Sequence, residues 1–308
     1  MVRHAAGTGA VARAGIDRRR LLAGACAVPL LLAARHAAAS DASRLVSMDL
    51  LITELLLTLA IVPLATPNVA LYRRLVAEPV LPEAVRDLGP LAEPNLDYLR
   101  YLAPERILLA DWQGAGLEVL ARIAPLTALP VLPGKQPAVA HGEALLRRLA
   151  ALVAEPARAE PPIARCAAAL EAGAAALRGF ARPVYVCRFN RDGRNLSLFG
   201  GRGMIGDTLA RLGLANAYEG RVNGFGVTSA PVLRLAERPE AVIVHFDRGV
   251  ETEAALARLA QSPVWNALPA VRQGRLVGLP VVYPNGGPCS VTRFARALAD
   301  RLPALGDG

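Results

Sequence analysis

The sequence predicts an α/β protein of two lobes joined by a long helical linker, with a ligand cleft between the lobes. Three observations predict it. Short apolar runs alternate with helix-period segments on both sides of the chain's middle. Residues from about 142 to 177 are almost continuously helix-forming. A length of 308 residues with 53% apolar content suffices for two packed units.

Residues 1–39 come first and read as a cleaved export signal. "DRRRLLAGACAVPLLLAARHAAAS" has a charged start, an apolar stretch from Leu21 to Ala34, and small residues at Ala37-Ala38-Ala39 before Ser40. The stretch is short and alanine-rich for a membrane span. Arg18-Arg19 followed by Arg20, Leu21 and Leu22 resembles a twin-arginine signal; the alternative is a general secretory signal with extra arginines. This segment holds six arginines against one acid, so a chain charge of +9 becomes 29 basic against 25 acidic side chains beyond it. With no basic run inside the fold, nucleic acid is not an expected partner. The mature chain is expected outside the cytoplasm. Cys166, Cys187 and Cys289 then sit in an oxidising compartment that permits one disulfide, Cys187 to Cys289, or three buried thiols.

Residues 40–137 form the expected N-terminal lobe, with strand candidates at 44–49, 61–65, 106–110 and 126–132 and helices in "LLITELLLTLA" and "LDYLRYL". The connector, 138–181, is helical with one interruption near "EPARAEPP", and its stiffness limits the movement of one lobe against the other. Residues 182–308 form the C-terminal lobe, with strand candidates at 182–190, 196–200, 241–246 and 275–280 and helices in "IGDTLARLG", "ETEAALARLAQ" and "VTRFARALADRL". The two halves are expected to be alike.

Beyond the signal, no G-x-S-x-G, H-E-x-x-H, C-x-x-C or S-x-x-K provides a nucleophile or metal anchor. His141 and His245 are far apart in sequence and bring no carboxylate group with them, so neither a metal site nor an enzyme is expected. One motif points elsewhere: "LFGGRGMIGD" reads G-x-G-x-x-G across Gly201, Gly203 and Gly206, with Glu219 downstream. An exported oxidoreductase with a nucleotide-type cofactor is therefore the alternative from another class. Against it, the motif follows the second strand of its half rather than the first, and Glu219 lies in a turn-like stretch.

"GRGMIGDTLARLGLANAY" also resembles the strand-loop-helix signature of periplasmic binding proteins that deliver iron-siderophore complexes, haem or cobalamin to ABC importers. "EPNLDYLRYLAPERILLA" (93–110) and "SPVWNALPAVRQGRLVGLP" (262–280) match in the same order, from about residue 44 to 303. "LYRRLVAEPVLPEAVRDLG" and "GKQP" resemble most the ferric-hydroxamate branch. The resemblance implies two α/β lobes with a shallow aromatic cleft, a ferric siderophore of hydroxamate or mixed carboxylate type as ligand, no cofactor, no directly bound metal, a monomer, and an inner-membrane ABC permease as partner. The same fold carrying haem or cobalamin is the nearest alternative.

Matched residue by residue, the cleft departs from the branch. The usual arginine falls on Leu91, the usual tyrosine on Gln113 beside Trp112, and a further aromatic on Leu75. In the second lobe Phe225 stands for a tryptophan, Tyr283 for another aromatic, and Asn285 lies two residues on. Arg202 replaces a small polar residue at a helix start, where its guanidinium is either a compensating donor or a solvated surface group. Trp112, Gln113, Arg202, Phe225, Tyr283 and Asn285 are the implied ligand residues. Glu118 and Glu237, with Glu240 as an alternative to the latter, are the implied permease-docking acids.

Overall fold

The computed structural model of the protein describes residues 44–305. The expected export signal, 1–39, lies outside them. The first lobe alternates strand and helix: β1 Leu45–Ser47, α1 Leu50–Thr58, β2 Ala65–Thr66, α2 Val69–Leu75, β3 Arg86–Asp87, α3 Leu96–Leu102, β4 Arg106–Ala110, α4 Gly114–Leu117 and β5 Leu126–Leu129. The sheet order is β3-β2-β1-β4-β5 and every neighbouring pair is parallel. A parallel pair needs a crossover, which the helices provide, and they bury both faces of the sheet. Helix α1 starts where Asp49 accepts hydrogen bonds from Leu51 N (2.8 Å) and Ile52 N (3.2 Å). Its Leu51, Ile52, Leu55 and Leu56 enter one core cluster with Leu108 and Leu129. Strand order turns back between β1 and β4, so the carboxyl ends of those strands form the crevice where such sheets hold ligands.

The connector is two helices, α5 Ala138–Leu152 and α6 Glu160–Ala176. They are parted by Ala154 at φ 58° and a 3-10 turn, Pro156–Arg158. Pro161 and Pro162 then start α6, where missing N–H groups cost nothing.

The second lobe comprises β6 Val184–Phe189, β7 Asn195–Phe199, α7 Met204–Arg211, β8 Val227–Pro231, β9 Val242–Asp247, α8 Val250–Leu259, α9 Pro263–Ala267, α10 Pro269–Arg272, β10 Leu276–Pro280 and α11 Pro288–Arg301. Its sheet order is β10-β9-β6-β7-β8. Strands β6, β9 and β10 are parallel, but β7 is antiparallel to both β6 and β8. The lobes therefore differ, contrary to the expectation of two similar halves. A five-residue turn joins β6 to β7, with Gly193 at φ 64° and Asp192 accepting from Arg194 N and Asn195 N. So short a link allows a hairpin and no crossover. Alternate residues of β6 face opposite cores: Val184 and Val186 pack with Phe246 and α11's Phe294, while Tyr185, Cys187 and Phe189 pack with Trp265. Trp265 meets Phe189 edge-on at 5.4 Å, a packing role.

Cys166, Cys187 and Cys289 are free thiols. Burial pushes Cys166 up to about 11 and Cys289 up to about 12, and Cys187 higher still, so none is a ready thiolate.

Candidate functional site

Between the lobes lies a shallow, solvent-open depression, walled from lobe 1 by Leu51 and Val131, from the connector by His141, and from lobe 2 by Met204, Phe225 and Asn285. The His141 ring is held on the lobe 1 side, Nε2 lying 2.6 Å from Pro130 O. Phe225 is held by its own loop. Asn223 Oδ1 accepts from Phe225 N (2.9 Å) and Val227 N (3.2 Å), an Asx turn that fixes where the ring sits.

The glycine motif builds the adjoining part of the lobe 2 rim. It follows β7, an antiparallel strand, and leads into α7, so it is not the first turn of a parallel βαβ unit. A Cβ on Gly203 would lie 2.6 Å from Gly226 Cα, and one on Gly206 would lie 2.3 Å from Gly201 O. These glycines let two loops and a helix start share one space. Gly200 N donates to Gly226 O at 2.9 Å across that contact.

Arg202 is exposed at this rim and reaches lobe 1's end of the chain. Its Nη1 donates to Lys135 O at 2.6 Å, and its carbonyl accepts from Ala138 N at 3.1 Å. Asp207 of α7 then accepts from Val139 N at 2.8 Å, which caps the start of α5. The geometry gives Arg202 a structural bond, with the rest of its donor fork open to solvent.

Tyr283 does not stand in the cleft as an open aromatic face. It packs against core clusters of lobe 1. Burial keeps that phenol protonated far above its usual range. Asn285 is on the depression's wall, so the pair acts as anchor and lining.

Trp112 and Gln113 follow β4 at lobe 1's switch point, and neither lines the depression. Trp112 is 51% exposed. Gln113 is 5% exposed and fully used by the fold: Oε1 accepts from Ala110 N (2.7 Å) and Nε2 donates to Met48 O (2.9 Å). It ties the ends of β1 and β4 together. Gln113→Leu is expected to cost about 2–4 kcal/mol, because two buried backbone groups lose their partners, with siderophore affinity unchanged. Urea unfolding and a titration check this; a stable variant with tenfold weaker binding would make Gln113 a ligand contact after all.

Glu118 is exposed on a 3-10 turn after α4. Glu237 is exposed and bonded to Arg234 at 2.7 Å within its own turn, and Glu240 pairs with Arg238 at 3.2 Å. Among the described residues no group of three or more His, Cys, Asp or Glu is placed to hold a metal, and no helix is long and apolar enough to cross a membrane.

One site residue escaped sequence reasoning. Glu54 of α1 is fully buried at the junction and accepts from Gly287 N (3.1 Å), Ser290 N (3.0 Å) and Ser290 Oγ (2.9 Å) at the start of α11. Its signal was the one acid within the apolar run "LLITELLLT". Arg293 and Arg74 also cross the junction, Arg293 to Glu78 (3.3 Å) and Arg74 to Glu251 (2.9 Å).

A model of the periplasmic binding protein family matches residues 45–283. The iron(3+)-hydroxamate-binding protein FhuD of Escherichia coli (strain K12) is 34% identical over 291 residues, 93% of this chain and 97% of that protein. Among solved structures, the Fe3+–Desferal-bound siderophore-binding protein FhuD from Vibrio cholerae has a TM-score of 0.78 at 26% identity, over 87% of this chain and 100% of the other. The triscatecholate siderophore-binding protein FeuA from Bacillus subtilis, complexed with ferri-bacillibactin, has a TM-score of 0.67 at 16% identity over 85% and 93%, a likeness of fold. The match spans both lobes, and the Escherichia coli relative is similar over nearly its whole length: the chain belongs to the periplasmic binding protein family.

Proposed function

We propose that this protein is the exported substrate-binding component of an ABC importer, carrying a ferric siderophore of hydroxamate or mixed carboxylate type to an inner-membrane permease. It works as a monomer in the periplasm and performs no covalent chemistry. The observation that carries this reading is the interlobe depression, whose wall is made by Phe225, Asn285 and the glycine-built start of α7. A ferric siderophore is a bulky organic shell around a metal centre rich in oxygen. Apolar and aromatic surface covers the shell, and a few fixed donors hold the oxygens. Here Phe225 provides the ring, Asn285 and the open part of the Arg202 fork provide donors, and Trp112 flanks the crevice from lobe 1. Support for the hydroxamate class comes from the Escherichia coli relative's name and the Desferal bound in the Vibrio cholerae protein. Glu118 and Glu237 are the proposed contacts to permease cations, one from each lobe.

Tryptophan fluorescence tests the assignment. Of Trp112 and Trp265, the latter is 4% exposed in the lobe 2 core, so a ferric siderophore should quench mainly Trp112. Trp112→Phe should remove most of the quench. Phe225→Ala should weaken binding about tenfold, the loss of one aromatic contact, and unchanged affinity in Phe225→Ala would remove the depression as the binding site.

A further inference from the structure

Helix α11 begins without a side-chain cap of its own. Its N-cap is Gly287, and no side-chain bond is made there from within the segment. The cap comes from the other lobe. Glu54 Oε1 takes two backbone N–H groups at that helix start, and Oε2 takes the Ser290 hydroxyl. The fit is tight: a Cβ on Gly287 would lie 2.6 Å from Leu55 Cδ2, and one on Gly286 would lie 2.7 Å from Glu54 Oε2. Immediately before this point runs the Tyr283–Gly286 turn, closed by Gly286 N to Tyr283 O at 3.0 Å, which carries the depression's Asn285.

We propose that Glu54 is a positioning residue for the cleft: from lobe 1 it fixes the start of α11, and thereby the Asn285 wall of lobe 2, acting as a hydrogen-bond acceptor and not as a charge. The pattern works in both protonation states. An ionised carboxylate accepts all three bonds; a protonated one still accepts two N–H groups through Oε1 and donates to Ser290 Oγ through Oε2. Burial raises the Glu54 carboxyl to about 7, while the bonds from Ser290 and Gly287 and the positive Arg293 pull it down. The other titratable groups facing it are Tyr72 of α2, Cys166 of α6, Cys289 of α11 and Tyr283, each kept neutral by burial. Gly287, Ser290 and Arg293 belong to α11's start, so the groups that pull the carboxyl down lie on the element it holds.

The experiment is hydrogen exchange at the Gly287 and Ser290 amides in the ligand-free, full-length mature protein, beside the affinity for ferric desferrioxamine from pH 5.5 to 8.5. Glu54→Gln keeps an acceptor oxygen and a donor for Ser290, and is expected to protect both amides at least as well as wild type at every pH and to leave the affinity near wild type. Glu54→Leu is expected to speed exchange at those amides at least about tenfold and to weaken binding about tenfold, as buried N–H groups lose their partner. Should Glu54→Leu not fold, Ser290→Ala, which removes one of the three bonds, is expected to speed exchange at the same two amides by a smaller factor. Glu54→Gln as loose as Glu54→Leu would overturn the acceptor role, and unchanged exchange in Glu54→Leu, or in Ser290→Ala if that variant must stand in, would overturn the positioning role. Only the affinity readout rests on the proposed function. If ferric desferrioxamine binds no variant, that reading fails while exchange still decides the role of Glu54.

Discussion

Gly206→Ala is expected to destabilise the protein by about 3 kcal/mol and lower Tm by roughly 6–12 °C. The sign is the informative part. In an ordinary helix this exchange stabilises by about 1 kcal/mol, because alanine loses less backbone entropy. Here the added methyl lies 2.3 Å from Gly201 O and 2.7 Å from Gly200 C, both backbone atoms that move only with the loop. Overpacking therefore outweighs propensity. Thermal melts of the purified variant check it, and a stabilised Gly206→Ala would mean the loops do not meet as described. A cofactor-binding glycine turn predicts something different, namely retained stability with loss of a bound nucleotide.

The second large effect is on pH. Burial raises Asp49 from 3.8 to about 6 and Glu54 from 4.5 to about 7, against hydrogen bonds that lower both. A carboxyl whose folded pKa lies above its unfolded value gives most stability below the unfolded value and loses it as pH rises through the folded one. Each shift is worth about 3 kcal/mol in full. His245 acts the other way: burial lowers it, so its contribution is lost as pH falls below about 6.5. The protein should therefore be about 2–3 kcal/mol more stable at pH 5.5 than at pH 8. Glu54→Gln isolates one part of this. It should exceed wild type by about 3 kcal/mol at pH 8, with the gain shrinking through pH 5 and gone near pH 4. Urea midpoints across that range measure it, and a pH-independent difference would place the Glu54 carboxyl near its ordinary value.

Much of this architecture is legible in the sequence, and what is not has physical reasons. Long apolar runs with clear period gave α1, α11 and most strands, since burial dictates pattern. Strand β3 is two exposed polar residues at a sheet edge, and β8 reads "VTSAP", so neither carries an apolar signal. The antiparallel hairpin is marked only by the short turn at Gly193, too short for a crossover. At the site, the loops bearing Phe225 and Asn285 were identifiable from motif resemblance. The structural bonds of Gln113 and Glu54 were not, because a buried polar side chain is defined by partners distant in sequence: Met48 lies 65 residues from Gln113, and Ser290 lies 236 from Glu54.

The central claim is that the interlobe depression takes a ferric siderophore. Calorimetric titration of the mature protein with ferric desferrioxamine, iron-free desferrioxamine, haemin and cobalamin tests it most directly. The account predicts saturable one-to-one binding of the ferric complex, markedly tighter than the iron-free chelator and weakened in Phe225→Ala. Saturable binding of haemin or cobalamin with no heat from the ferric complex would contradict it.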